Sequence, residues 1–280
     1  MAPRISRVQN ARRHRSGTTF SVNAIDLQRL EGLASPLALL DDFRVSGAPF
    51  GPHPHAGFSA ITYVLEDSPV ALRSRDSLGN DLDIRPGGIV WLQAGKGAQH
   101  QEVPAIPGRE LHGAQIYVNL SARNKVVAPR TMYLQPEEVP VWTDEAANRV
   151  RVLVGRYGDL ASAIAPAEPY RILDARIATE VRVPLGKGDH TVLYCLDGAV
   201  ELAVDDAVRA LPSQAAIAVA DAANLRLAAT AHPAHVLVLS GAALDEPVVA
   251  DGPFIMNDAA GIRAAQQRYH AGGMGHLAPV

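Results

Sequence analysis

Gly51-Pro52-His53-Pro54-His55-Ala56-Gly57, followed directly by Phe58-Ser59-Ala60-Ile61-Thr62-Tyr63-Val64-Leu65, is the stretch on which the fold reading turns. Its two imidazoles stand at positions i and i+2, and on a β-strand such residues face the same way. A second set, His100-Gln101-Glu102, repeats the spacing just after the glycine-rich bend Ala94-Gly95-Lys96-Gly97 and the strand-like run Ile89-Val90-Trp91-Leu92. Side by side, two such strands aim three imidazoles and one carboxylate at a common point. Nitrogen and oxygen donors without thiolate suit a catalytic or sensing metal better than a closed structural zinc. The 10 His of this 280-residue chain supply roughly 0.35 His-x-His pairs by chance, so the first pair alone decides little. The setting decides: both sets lie beside strand and turn signals, as at the mouth of a barrel.

The composition allows that architecture. The length suits one large or two ordinary domains. Hydrophobic residues make up 48% and charged residues 20%, enough for a sizeable core. The 20 Pro and 23 Gly are spread along the chain, which favours many short elements joined by turns. A net charge of −3 gives no reason to expect a nucleic acid or an anionic membrane as partner. No apolar stretch is long enough to cross a membrane. The single cysteine, Cys195, excludes an intramolecular disulfide and a cysteine-based zinc cluster, and its apolar setting reads as core. Together these features point to a reducing, cytoplasmic compartment. Arg4, Arg7, Arg12, Arg13, His14 and Arg15 form a basic amino end. It reads as a solvated strand or tail rather than an export signal, because no apolar segment follows it.

Strand and turn signals continue through two halves. Ser77-Leu78-Gly79-Asn80 and Arg85-Pro86-Gly87-Gly88 are turns, and Gln115-Ile116-Tyr117-Val118-Asn119-Leu120 alternates as a strand with one buried face. The proline-bearing stretch from Pro129 to Pro140 reads as the crossing, which puts a metal-binding domain at 1–130 and a second domain at 131–280. In the second half, Asp197-Gly198 and Asp205-Asp206 are candidate hairpin turns. That half holds His190, His232 and His235 but no ligand pair, with His232 and His235 flanking Pro233 in a loop. A helix is expected from Ile262 to Tyr269, capped by Asn257-Asp258 and stopped by Gly272-Gly273.

Several of these segments resemble the pirin family. Pro36-Leu-Ala-Leu-Leu-Asp-Asp-Phe43, Phe50-Gly-Pro-His-Pro-His-Ala-Gly-Phe58 and Thr62-Tyr-Val-Leu-Glu66 are similar to its amino-terminal signature. So are Arg75-Asp-Ser-Leu-Gly-Asn80, Ala94-Gly-Lys-Gly-Ala-Gln-His-Gln-Glu102 and Leu111-His-Gly-Ala-Gln-Ile-Tyr-Val-Asn-Leu120. The run spans roughly residues 36 to 125, with weaker similarity at Gly252-Pro-Phe-Ile-Met-Asn257 and Gly272-Gly-Met-Gly275. The resemblance implies an all-β bicupin: two tandem cupin barrels with a short helical carboxy-terminal segment. It implies one non-haem Fe2+ in the first barrel, with other divalent metals possible, held by His53, His55, His100 and Glu102. Two positions depart from the pattern: Ser59 stands where relatives often have Glu, and Ser74 where they often have His.

Some members of the family resemble quercetin 2,3-dioxygenases, so the first expectation is a metal-dependent oxygenase acting on a flavonol or similar aromatic. Glu102 would be ligand and proton acceptor. Phe50 and Phe58 are candidate contacts for the aromatic substrate, while Trp91 reads as ordinary core. His112 is either a partner orienting a ligand or a strand-entry residue satisfied by backbone. The alternative is an iron-dependent regulatory protein that contacts a transcription factor or metabolic enzyme through an exposed charged patch, for which Arg44, Lys96 and Lys125 are candidates. A third reading is a bicupin that binds a small molecule without turnover.

Overall fold

A computed structural model describes residues 2–230 and 233–280; His232 lies outside the described residues. The chain is all-β with one helix, Ala259–His270, and no helix among the described residues is long and apolar enough to cross a membrane. Its contacts gather into two units. One holds Arg13–Val22, Leu39–Pro136 and Leu244–Val280; the other holds the chain up to Arg12, Asn23–Ala38 and Glu137–Ala243. A single cut after residue 130 therefore does not describe the partition. Arg130–Leu134, within the stretch read as a crossing, is a strand paired antiparallel with Ile89–Gln93. The helix and tail pack in the first of these units, and Arg4–Ile5 pairs with Val219 and Ala220 in the other.

The unit that carries the His pairs has two main sheets and a two-stranded ribbon, Val249–Asp251 with Phe254–Met256. The larger runs Arg130–Leu134, Ile89–Gln93, Phe58–Val64, Leu111–Asn119, Leu37–Val45, Phe20–Ala24, Arg12–Ser16 in spatial order. The smaller runs His53–His55, Ala98–Pro104, Leu72–Asp76, Asp81–Ile84. Both contribute to a common core, with Phe43, Val64, Val90 and Leu111 from the first and Leu72 and Ile84 from the second. Phe58–Val64 and Ile89–Gln93 are buried on both faces, which is why they read as continuous apolar runs rather than alternating ones. Trp91 is core, as expected. The Ser77–Asn80 turn forms because Asp76 Oδ1 accepts from Leu78 N (2.9 Å) and Asn80 N (3.1 Å). The basic strand Arg12–Ser16 is exposed throughout, matching the solvated reading.

In the other unit, Asp205-Asp206 closes a two-residue hairpin between Ala199–Val204 and Ala207–Pro212, with Asp205 at φ 49°. Asp197-Gly198 is not a hairpin. It is a corner where the chain leaves the strand Asp189–Asp197 in one sheet for Ala199–Val204 in another. Cys195 is a free, fully buried thiol within a core of aliphatic side chains, and burial pushes it up to about 11. The helix begins three residues earlier than the periodicity suggests but with the expected cap: Asp258 accepts from Gly261 N at 2.7 Å.

The carboxy-terminal segment of the first unit is sewn to the His-bearing loop. Ala56 forms a bridge to Phe254, Ile255 N donates to Ala56 O (3.0 Å), and Gly57 N donates to Gly95 O (2.8 Å). Lys125 Nζ donates to Gly57 O (2.8 Å), to Ile255 O (2.9 Å) and to Asn119 Oδ1. Lys125 is thus buried, and the exposed patch expected with Arg44 and Lys96 does not form. Gly57 has φ 84°, and a Cβ there would fall 1.8 Å from the Ile255 carbonyl oxygen. Gly57→Ala is expected to lower stability by more than about 2 kcal/mol in thermal unfolding. Gly51→Ala, where an added Cβ meets nothing within 4 Å, is the matched control and should shift stability by less than about 1 kcal/mol.

Candidate metal centre

The strand His53–His55 is short and sits at the edge of its sheet, where Pro54 loses no ladder hydrogen bond to a neighbour. It pairs antiparallel with Ala98–Pro104, His53 opposite His100 and His55 opposite Ala98. The pleat then turns His53, His55 and His100 to the same side. His100 Nε2 lies 3.0 Å from His55 Nε2 and 3.1 Å from His53 Nε2. Ligands about 2.1 Å from a shared ion stand about 3.0 Å apart at a right angle and about 3.4 Å apart in a tetrahedron. These two separations match adjacent positions of an octahedron more closely than those of a tetrahedron.

The donor chemistry fits as well. His53 Nδ1 donates to the Gly51 carbonyl (2.9 Å), the tautomer that leaves Nε2 with a free lone pair. His55 Nδ1 is turned toward the Pro253 carbonyl without a well-formed hydrogen bond. Burial lowers the pKa of all three imidazoles. His55 falls to about 3, with the neighbouring His53 charge adding to the effect, and His100 falls well below its ordinary range. Three buried, neutral imidazoles with converging lone pairs are an apt cradle for a divalent cation. Among the described residues no other group of His, Cys, Asp or Glu converges in this way. In the other unit His190 lies 3.5 Å from Arg4, and His235 is bonded to Asp174 at 2.5 Å.

Glu102 shares the strand and the face of His100 but lies past the end of His53–His55, opposite Ser74 on Leu72–Asp76. Its carboxylate stays outside the three-His cluster. Oε2 accepts from Thr62 Oγ1 (2.6 Å) and Oε1 from Ser74 Oγ (3.2 Å); Oε1 lies 3.9 Å from His100 Nδ1. Ser74, one of the two departures from the family pattern, thus holds the carboxylate. Ser59, the other, is buried and its hydroxyl has no partner among the described residues.

The cluster lies at one side of a cavity of about 350 Å³, which Glu102 also lines. The wall is largely apolar: Leu39, Phe43, Val45, Leu72 and Leu111. Phe50 is half exposed at the mouth, edge-on to Phe20 at 5.5 Å. Phe58 is not in the wall. It is buried behind the imidazoles, 4.9 Å from the His55 ring and 4.6 Å from Tyr117, and it buttresses the ligand rather than facing a substrate. His112 is also not bonded to any of the three imidazoles; its ring nitrogens face Asp42 and Asp67, each at 2.8 Å. Sequence reasoning missed Asp41, Thr62 and Tyr117. The alternation Leu39, Asp41, Phe43, Val45 carried the signal for Asp41.

Burial pushes the Glu102 carboxyl from 4.5 up to about 7, against the hydrogen bonds from Thr62 and Ser74 that favour its ionised form. In metal-free protein, stability from this group is full below the unfolded value and is lost as pH rises through about 7. The depressed imidazoles act oppositely, losing stability as pH falls below 6.5 toward their folded values. Comparing Glu102→Gln with wild type cancels the imidazole contribution. Thermal unfolding of metal-free protein should show the variant gaining on wild type between about pH 5 and about pH 8.

Residues 6–118 match the pirin family model, and residues 172–275 match that of the pirin C-terminal cupin domain. Mouse pirin is 32% identical over 243 residues, covering 85% of this chain and 80% of its own. A pirin-like protein of Solanum lycopersicum is 30% identical over 256 residues, covering 90% and 84%. The crystal structure of a quercetin 2,3-dioxygenase from Acinetobacter baumannii aligns with a TM-score of 0.85 at 26% identity, over 99% of this chain and 100% of that one. A bacterial pirin from Escherichia coli, solved in complex with nickel(II), shares the fold with a TM-score of 0.64 at 17% identity, over 86% and 100%. With both halves matched in order and relatives aligned over most of its length, this two-cupin chain belongs to the pirin family.

Proposed function

We propose that this chain is a metal-dependent oxygenase of the quercetin 2,3-dioxygenase type, acting on a flavonol or a similar aromatic. The observation that carries the reading is the pairing of a three-His cluster with a largely apolar cavity of about 350 Å³. That volume lies within the ordinary range for small-molecule sites. The A. baumannii dioxygenase, similar over its whole length, supports the same reading.

In this scheme His53, His55 and His100 hold Fe2+, and Glu102 is the fourth ligand of the family pattern. Bound there, the ion supplies Lewis acidity and redox chemistry toward dioxygen. The apolar wall holds the aromatic rings and keeps bulk water out. Phe50 offers its ring at the mouth. Glu102 accepts the proton of the flavonol hydroxyl. Thr62 and Ser74 orient its two oxygens. Taking the ligand role requires Glu102 to exchange one of these hydrogen bonds, so Ser74 and Thr62 tune the balance between the two roles. A cytoplasmic setting belongs to the same reading, since the one cysteine is a free thiol.

The regulatory alternative rested on a charged patch. Arg44 instead pairs with Glu110 (3.4 Å) and Asp67 (3.9 Å), and Lys125 is buried, so these two residues do not contribute to such a patch.

Dioxygen uptake by the iron(II)-reconstituted protein with quercetin tests the proposal. Wild type should consume dioxygen, and His55→Ala should lose both the metal and the uptake. Glu102→Gln should keep the fold and slow turnover by about 100-fold or more. Full metal content in His55→Ala would remove that residue from the ligand set. Stoichiometric iron with no uptake by wild type would overturn the oxygenase reading.

A further inference from the structure

Asp41 is a carboxylate in the wall of the cavity that neither the metal cluster nor the proposed proton transfer uses. It lies on the strand Leu37–Val45, and the alternation of that strand sends Leu39, Asp41, Phe43 and Val45 into the same space. Three of the four are apolar, as expected for a wall that grips rings. The fourth is partly buried, and its side chain makes no hydrogen bond or ion pair with the described residues. Its neighbour Asp42, on the opposite face, is by contrast bonded to His112 at 2.8 Å. A carboxylate taken out of water without a donor is costly, and it would not be favoured there unless something brings the donor.

The adjoining wall carries a second polar group in the same state. The phenol of Tyr117 lines the cavity without a hydrogen bond among the described residues. Its ring stands 5.4 Å from that of His55. Burial first, then the charges of Glu102 and Asp41, raise its pKa above the ordinary tyrosine range. Tyr117 therefore lies within electrostatic reach of both carboxylates. The cavity is thus lined by the imidazoles and Glu102 and also by Asp41 and Tyr117, with apolar side chains around.

We propose that Asp41 is a specificity residue that accepts a hydrogen bond from an aromatic hydroxyl of the substrate other than the one held at the metal, so that the cavity selects polyhydroxylated over bare aromatic ligands. The proposal deepens the oxygenase reading and rests on it for the aromatic class of the ligand. Burial, opposed by His14 and reinforced by Asp42, pushes the Asp41 carboxyl up to about 6, consistent with a site lacking a resident donor.

Binding without turnover tests it. Quercetin and 3-hydroxyflavone share the 3-hydroxy-4-carbonyl edge and differ only in hydroxyls elsewhere on the rings. Both are titrated anaerobically into iron(II)-loaded wild type, Asp41→Leu and Asp41→Asn, with iron content and thermal unfolding measured alongside. Wild type should prefer quercetin by about 10-fold to 100-fold. Asp41→Leu should reduce that preference to less than about 3-fold through weaker quercetin binding while 3-hydroxyflavone affinity is kept. Asp41→Asn keeps the shape of the side chain, and its preference should fall between the two. A preference unchanged in both variants, or absent in wild type, overturns the Asp41 assignment and leaves the oxygenase reading standing if quercetin still drives dioxygen uptake. The predicted preference and its loss, without any uptake in air, would support Asp41 and sink the oxygenase reading. Failure of both aromatics to bind wild type overturns both.

Discussion

The antiparallel pairing of a three-residue strand, His53–His55, with Ala98–Pro104 is the constraint on which the metal centre depends. Side chains alternate along a strand, so a slip of one residue would turn either His53 and His55 or His100 to the opposite face. Register in so short a strand has little ladder of its own to hold it. It is held from its carboxy end instead: by Gly57, whose left-handed conformation lets Ile255 approach, and by Lys125, whose ammonium gathers the carbonyls of Gly57 and Ile255. The buried cation is thus part of the frame of the site. The shortness of the strand also has a chemical effect. Because it ends before Glu102, that residue meets Ser74 and Thr62 rather than a fourth member of the imidazole cluster.

Burying three imidazoles together costs free energy, and the structure meets it by keeping them neutral. The depressed values of His55 and His100 follow from lost hydration and from one another's charge. The arrangement that makes the apo cluster intolerant of protons is the one that offers a cation unprotonated donors, with little proton competition near neutral pH. Phe58 and Tyr117 pack against His55 and limit its rotation. The aromatic residues around the site accordingly divide into buttress and lining, a division that residue type does not reveal.

Much of the fold and the centre of the site were legible because they depend on local periodicity. The i, i+2 spacing of His53 and His55, its repetition at His100 and Glu102, and the adjoining turns were enough to place three imidazoles on two neighbouring strands. What was illegible depended on phase or on distant partners. Phe58 follows His55 by three residues, across the turn at Ala56-Gly57, so the alternation that orients the imidazoles does not carry over to it. Lys125 looked solvated because its three acceptors come from residues 57, 119 and 255, far apart in the chain. Asp197-Gly198 has the composition of a hairpin turn, yet the strands it joins belong to different sheets, a choice made by tertiary packing. Asp41 was readable in principle, since Leu39, Phe43 and Val45 set a period of two around it.

The strand Ala98–Pro104 serves a second purpose with its other face. Where His100 and Glu102 point inward, Gln99 donates to the Gly275 carbonyl at 2.5 Å, and Gln101 accepts from Val280 N at 3.0 Å. On the neighbouring strands, Ser77 and Arg75 bind the carbonyls of Met274 and Ala278. The closing segment is therefore bound along the back of the very strand that carries two of the site residues. Local unfolding is cooperative over such shared contacts, so the tail and the strand that carries His100 are expected to open as one unit. Fraying that begins at the surface reaches the imidazoles through a single layer of backbone, and a bound ion would in turn protect the tail amides from exchange.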